Sequence, residues 1–248
     1  MYHETTRATL TALFKLPADY EMDAGIILGR WHPHEPMQRW RAYLSDVHEP
    51  SHTWHNAMFG TYQSTRIGYA VVYGATMAAD VARAWHILGA KKLIQIGYYG
   101  GLQAGMQRGD FIVPSEGIRM DGASDAYLHP EVRVHATEAL HAEAIAQLRR
   151  TPDTTVHLLP QLTIVGGILS ETREQISAWS ARGYGGVDLE TAATFAVAQR
   201  FGMACAAMLI CSDVIVEGDS LFHRTEGEVR DRYKRAELLM EDVALRIA

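Results

Sequence analysis

Leu93-Ile94-Gln95-Ile96-Gly97-Tyr98-Tyr99-Gly100-Gly101 is the stretch on which the reading of the fold turns. Its first half is a short, mostly apolar run, suited to a strand buried on both faces as in parallel sheets. Its second half is rich in glycine and reads as a tight turn at the strand end, where a backbone can approach a ligand closely.

The same alternation extends in both directions. Ala24–Gly29 is a short buried strand, Glu35–Leu44 a helix, and Gly60–Tyr62 with Arg66–Val72 a hairpin. Met77–Leu88 has helical spacing, with Val81, Trp85 and Leu88 on one face. Strands at Asp110–Pro114 and Leu162–Gly166 precede helices at His135–Arg149 and Glu171–Trp179. Helix Thr191–Phe201, buried strand Ala204–Cys211 and amphipathic helix Glu226–Ile247 close the chain. Strands alternating with helices predict an α/β fold with a mainly parallel sheet. Ligands in such folds bind beyond the carboxyl ends of strands. That directs attention to residues 97–101, 170–173, 187–190 and 212–214.

Composition narrows the function classes. The 248 residues fit one domain, since α/β domains often reach about 250 residues. Hydrophobic residues make up 48% and charged residues 21%, as in soluble globular proteins. The net charge of −6 lacks the basic footprint of a nucleic-acid binder. No apolar run approaches the ~18–20 residues of a membrane span, and the polar, acidic start is unlike a signal peptide. Two cysteines, Cys205 and Cys211, sit in one apolar run, which suggests packing residues in a reducing cytoplasm.

Three strand ends carry candidate chemistry. Asp188 and Glu190 flank Leu189 before a helix; a carboxylate there can grip a vicinal diol or cap the helix. Asp213, after Ser212, ends the most apolar strand, where partial burial raises an acid's pKa toward use as a general acid. The glycine stretch is the third. His48 and His52 have i,i+4 spacing, but Pro50 between them breaks a helix, so the His32, His34, His48, His52 and His55 set reads as loop or site rim rather than a metal centre. No G-x-S-x-G, dinucleotide G-x-G-x-x-G or P-loop pattern occurs.

Taken in order, these pieces resemble the nucleoside phosphorylase and nucleosidase superfamily. Leu93–Leu102 followed by Gly109–Val113 is similar to its strand, glycine turn and G-D strand. Arg119–Ser124 is similar to a stretch of uridine phosphorylases, Val187–Ala192 to the V-E-M-E-A-A signature, and Ile210–Asp213 to the closing S-D. The resemblance implies a single-domain (1–248), three-layer α/β/α sandwich with a central twisted mixed sheet. It implies that Glu190 binds the ribose 2′- and 3′-hydroxyls, Leu189 packs under the sugar, and Asp213 protonates the leaving base. Tyr98, Tyr99, Gly100, Ser170, Glu171, Asp188 and Ser212 would shape the base and sugar pocket. A homo-oligomer (dimer, trimer or hexamer) is also implied, with a nucleoside as small-molecule partner and neither cofactor nor metal.

The departures fall on the phosphate site. Gln95 stands where phosphorylases carry an arginine, Tyr98 where they carry a serine or threonine, and Gly74-Ala75-Thr76 where they carry a G-x-G loop. Gly29–Pro36 has no clear match to their G-D-P-x-R loop, and Thr53–Asn56 holds no arginine for a neighbouring subunit. Leu209 replaces the arginine before S-D in the nucleosidases. A phosphate dianion needs charged donors in a fixed fork. The expectation is therefore hydrolysis, with phosphorolysis using Arg30 or Arg39 as the alternative. Glu35, His32 and His34 are the candidates to activate water. A non-catalytic nucleoside binder and a ribosyl transferase are the readings from other classes.

Overall fold

The computed structural model describes residues 2–50 and 56–248. His52 and His55 lie outside them, as do Thr53 and Trp54 of the segment compared with the neighbour-lent arginine.

The stretch read as strand plus turn is one continuous strand, β5 (Lys92–Gly101). Its glycines do not reverse the chain, because both edges of the strand have hydrogen-bonding neighbours. On one edge it pairs in parallel with β12 (Ala204–Asp213) along its length. On the other, Lys92–Ile96 pair in parallel with β1 (Ala24–Gly29). Gly100 and Gly101 pair antiparallel with β11 (Gly186–Asp188). Two strands thus share one edge of β5 in succession, and between them the sheet opens.

From β1 the sheet continues through β4 (Thr65–Val72), β3 (Ala57–Tyr62) and β2 (Ser45–His48). From β11 it continues through β10 (Gln161–Ile164), β7 (Glu116–Met120) and β8 (Val134–His135). β6 (Phe111–Ile112) pairs with β12 and with β9 (Val156–His157). The sheet is mixed, as the resemblance implied.

Helices cover both faces. α1 (Arg7–Leu13), α3 (Ala75–Ile87) and α6 (Thr191–Phe201) share one core, to which α3 and α6 contribute alanine-rich faces. α2 (His34–Tyr43), α4 (Glu138–Leu148) and α7 (Gly227–Ile247) share the core on the other face. α5 (Arg173–Ala181) packs Trp179 against Leu162 and Leu189. α4 starts three residues later than its periodicity suggests, because Val134–His135 is spent on β8 and Thr137 bonds the Cys205 carbonyl. α5 starts at Arg173 behind a reciprocal Thr172–Gln175 capping box, which leaves Glu171 in the preceding loop.

One packing contact fixes α3 on the sheet. Gly25 of β1 and Gly68 of β4 are register partners, and together they seat the buried Trp85 indole. A Cβ at Gly25 would lie 2.2 Å from Trp85 Cδ1. Such overpacking costs about 1–3 kcal/mol. Gly25→Ala is therefore expected to lower the denaturant midpoint by a matching amount with an unchanged slope; an unaltered midpoint would show that the indole can move aside.

Candidate active site

The opening between β1 and β11 is a cleft of about 340 Å³. Its floor comes from strand ends: Gly29, Tyr98–Gly100, Val187–Glu190 and Ser212–Asp213 all line it. The cleft thus lies at the strand ends, the place where α/β sheets bind ligands.

Glu190 is buried where β11 meets α6. Its Oε1 accepts a 2.7 Å hydrogen bond from the Gly74 backbone. Gly29 must be glycine for this carboxylate to sit where it does, because a Cβ there would lie 2.6 Å from Glu190 Oε2. Burial and the neighbouring Asp188 charge raise the Glu190 pKa. Asp188 is held differently: it accepts from Thr163 Oγ1 at 2.7 Å, from the Thr191 hydroxyl, and from Thr191 N at 3.2 Å. Those bonds tie β11 to β10 and to the start of α6. Asp188 therefore acts as the anchor of its own loop and sets the position of Glu190.

Asp213 reaches the cleft through an irregularity of β12. Cys211 pairs with Tyr99 and Asp213 with Gly100, so Ser212 is an extra residue and the strand bulges. Ser212 Oγ lies 2.5 Å from Asp213 Oδ1 and 3.1 Å from the Tyr99 carbonyl. Leu221 N donates to Asp213 Oδ2 at 3.0 Å. The loop carrying Leu221 is pinned by a two-bond fork, 2.8 Å in each arm, from Arg108 to Asp219, whose carboxyl is held below its usual range. Desolvation raises the Asp213 pKa despite these bonds. Glu171, also on the cleft, is raised to about 7 by its own burial and by the Asp213 charge.

Leu189 and Gly100 line the cleft with these carboxylates. Tyr99 contributes to the wall, but its ring is buried and its hydroxyl points to Met106. Ser170 does not line the cleft: it is exposed and bonds the Gly167 carbonyl, because the chain turns through a short 3-10 segment before α5. Thr76 is likewise exposed on α3, and the backbone of Gly74 meets Glu190 in its place. Gln95 is fully buried beneath the floor, where it accepts from Thr194 Oγ1 at 2.9 Å.

The cations expected near a phosphate are internally paired. Arg30 donates to the Tyr98 hydroxyl at 2.9 Å and to Glu237 Oε1 at 3.1 Å, and its other arm lies 3.5 Å from Glu35. Tyr98 OH in turn donates to Glu237 at 2.5 Å. Arg39 is bound to buried Glu241, 2.7 Å at its closest, and to Glu35 at 2.8 Å. His34 opens α2 within reach of Gln38, His32 packs on Trp31, and His48 bonds the Phe14 carbonyl.

Sequence reading missed Tyr73, Ile168, Ile215, Leu221, Phe222, Tyr233 and Glu237, which complete the lining. The one available signal was on α7: Tyr233, Glu237 and Glu241 recur every four residues, a polar stripe on a helix whose apolar face must be buried. Cys205 and Cys211 are buried free thiols, pushed up to about 11 and about 12 by desolvation. Among the described residues no helix is long and apolar enough to cross a membrane.

Two buried carboxylates, Glu190 and Asp213, thus line the cleft where the mixed sheet opens along β5. The chain belongs to the phosphorylase superfamily, whose family model matches residues 34–248. The fold is similar to that of uridine phosphorylase from Vibrio fischeri ES114, with a TM-score of 0.72, 20% identity, and coverage of 90% of this chain and 87% of that one. A second structure of that enzyme, complexed with 6-hydroxy-1-naphthoic acid, gives a TM-score of 0.76 at 19% identity, covering 100% and 96%. Guanosine phosphorylase from Halorubrum lacusprofundi is 22% identical over 161 residues, which span 65% of this chain and 66% of that relative.

Glu171 offers a test of the cleft's electrostatics. Its carboxyl moves from an ordinary 4.5 to about 7, so it favours the folded state below pH 4.5 and loses that contribution as pH rises toward 7. Glu171→Gln cannot ionise. Its melting temperature relative to the native protein is expected to rise between pH 4.5 and 7; a constant difference would mean Glu171 is solvated.

Proposed function

We propose that this protein cleaves the N-glycosidic bond of a nucleoside. The observation that carries the proposal is the placement of Glu190 and Asp213 on one cleft, each held by a backbone N–H. In this reading Glu190 accepts hydrogen bonds from the ribose 2′- and 3′-hydroxyls, and Leu189 packs beneath the sugar. Positive charge grows on the sugar as the bond lengthens, and the carboxylate stabilises it. Asp213, whose pKa burial raises, passes a proton to the departing base. Tyr98, Gly100 and Ser212 form the nearby wall.

The nucleophile has two readings. The relatives are named as phosphorylases, which supports inorganic phosphate, with ribose 1-phosphate as product, better than the water expected from the missing arginines. Phosphate would then have to win Arg30 from Glu35 and Glu237. Water is the second reading, favoured by the position of Tyr98 and Glu237: both bond one arm of Arg30, which among the described residues is the only arginine lining the cleft. The reading also includes a nucleoside partner, no cofactor, a cytoplasmic setting and a homo-oligomer.

Mass-spectrometric product analysis with and without phosphate separates the two acceptors. Ribose 1-phosphate formed only with phosphate establishes phosphorolysis, free ribose without it establishes hydrolysis, and no product from a broad nucleoside panel refutes both. On an active purine nucleoside, Asp213→Asn is expected to lower kcat about 100-fold or more. Glu190→Gln is expected to abolish the advantage of ribosides over 2′-deoxyribosides. A rate unchanged by the first, or a preference unchanged by the second, removes that residue from its role.

A further inference from the structure

The two arms of Arg30 are held in different ways. One lies 3.5 Å from Glu35, whose side chain is 66% exposed, so water screens that pair. The other donates to the Tyr98 hydroxyl at 2.9 Å and to Glu237 Oε1 at 3.1 Å. The Glu237 side chain is only 13% exposed. The Tyr98 hydroxyl donates to the same Oε1 at 2.5 Å. Burial keeps the Tyr98 phenol above its ordinary range, so it stays a donor. One carboxylate oxygen thus receives two charge-assisted hydrogen bonds inside the cleft wall.

Helix α7 holds that carboxylate in place from both sides. Tyr233, one turn earlier, stacks on the Tyr98 ring with centroids 5.9 Å apart and planes 16° from parallel. Glu241, one turn later, is buried and bound by Arg39 and Tyr43. Residues four apart lie on one helix face, so these contacts fix the turn that carries Glu237. Turning the side chain away would break both of its bonds and leave the shielded arm of Arg30 without a carboxylate.

The pair also stands next to the sugar end of the cleft. Arg30 follows Gly29, where a Cβ would lie 2.6 Å from Glu190 Oε2. An anionic acceptor drawn to Arg30 there meets the like charge of Glu237, whereas water does not. We propose that Glu237 determines the acceptor: its carboxylate takes the place on Arg30 and Tyr98 that a phosphate oxygen would need, and the sugar passes to water. This rests on the glycosidic-cleavage reading. The step balances without an added reagent. The C1′–N bond breaks with its electron pair going to nitrogen, and the water oxygen bonds C1′. The proton that water sheds replaces the one that Asp213 gives the base.

The first measurement needs only the native protein. With a nucleoside that it cleaves, free ribose is expected at a rate that added phosphate does not change; ribose 1-phosphate from the native protein overturns the proposal. The second compares variants by calorimetry with inorganic phosphate alone. Glu237→Gln keeps the shape and removes the charge, and is expected to bind phosphate about tenfold or more tightly than the native protein. The same variant is expected to form ribose 1-phosphate when phosphate is present. Glu35→Gln is expected to change phosphate affinity less than about threefold. Unchanged affinity and product in Glu237→Gln overturn the proposal, as does an equal gain in Glu35→Gln. If nucleosides are cleaved but the native protein makes ribose 1-phosphate, this proposal alone falls and the glycosidic reading stands. If phosphate affinity shifts as expected but no nucleoside is cleaved, the glycosidic reading falls and the acceptor role falls with it.

Discussion

One edge of β5 serves two strands in turn, and the rest of the molecule is arranged around that fact. Every buried backbone N–H and C=O needs a partner. β1 supplies partners as far as Ile96, and β11 supplies them again from Gly100. Between those points β5 keeps only β12 as a ladder neighbour. The gap is short enough for the sheet to tolerate and wide enough for a ligand. β12 pairs along the far edge throughout, with the bulge at Ser212 turning Asp213 toward the opening.

Carboxylates buried in such an opening are expensive unless their surroundings compensate. Compensation here is local and uneven. Asp188 accepts from the Thr163 and Thr191 hydroxyls and the Thr191 amide and ties down its loop, while Glu190 accepts from the Gly74 amide and lines the cleft. Asp213 depends on a bulge to face inward and on the Arg108–Asp219 fork to keep the next loop in place. Two similar carboxylates thus acquire different surroundings, Glu190 beside the Gly74 amide and Asp213 between the Ser212 hydroxyl and the Leu221 amide.

The ion-pair network on the α2–α7 side does the reverse. Arg30 and Arg39 bridge α2 and its leading loop to Glu237 and Glu241 of α7. Those arginines hold the last helix against the cleft and have little charge left for a ligand. The same contacts complete the wall with Tyr233 and Glu237, so the end of the chain becomes part of the site.

The alternation of strand and helix, the buried strands around Ile26, Ile94 and Ala206, and the carboxylates at strand ends were legible in the sequence, because burial imposes short-period patterns that the chain must carry locally. Asp213, Glu190, Leu189, Glu171 and Tyr98 all lie on the cleft. The glycine stretch was read as a turn and is a strand, because only the neighbours on either side decide whether glycines extend or reverse. Gln95 and Thr76 occupy the right strand and helix, but burial and helix phase keep them from lining the cleft. Tyr73, Phe222 and Glu237 come from three separate loops and helices, with no local spacing to join them. Sequence by itself determined which elements form and what chemistry their ends can carry; the tertiary structure decided which ends meet, because pairing across β5 joins residues more than a hundred positions apart.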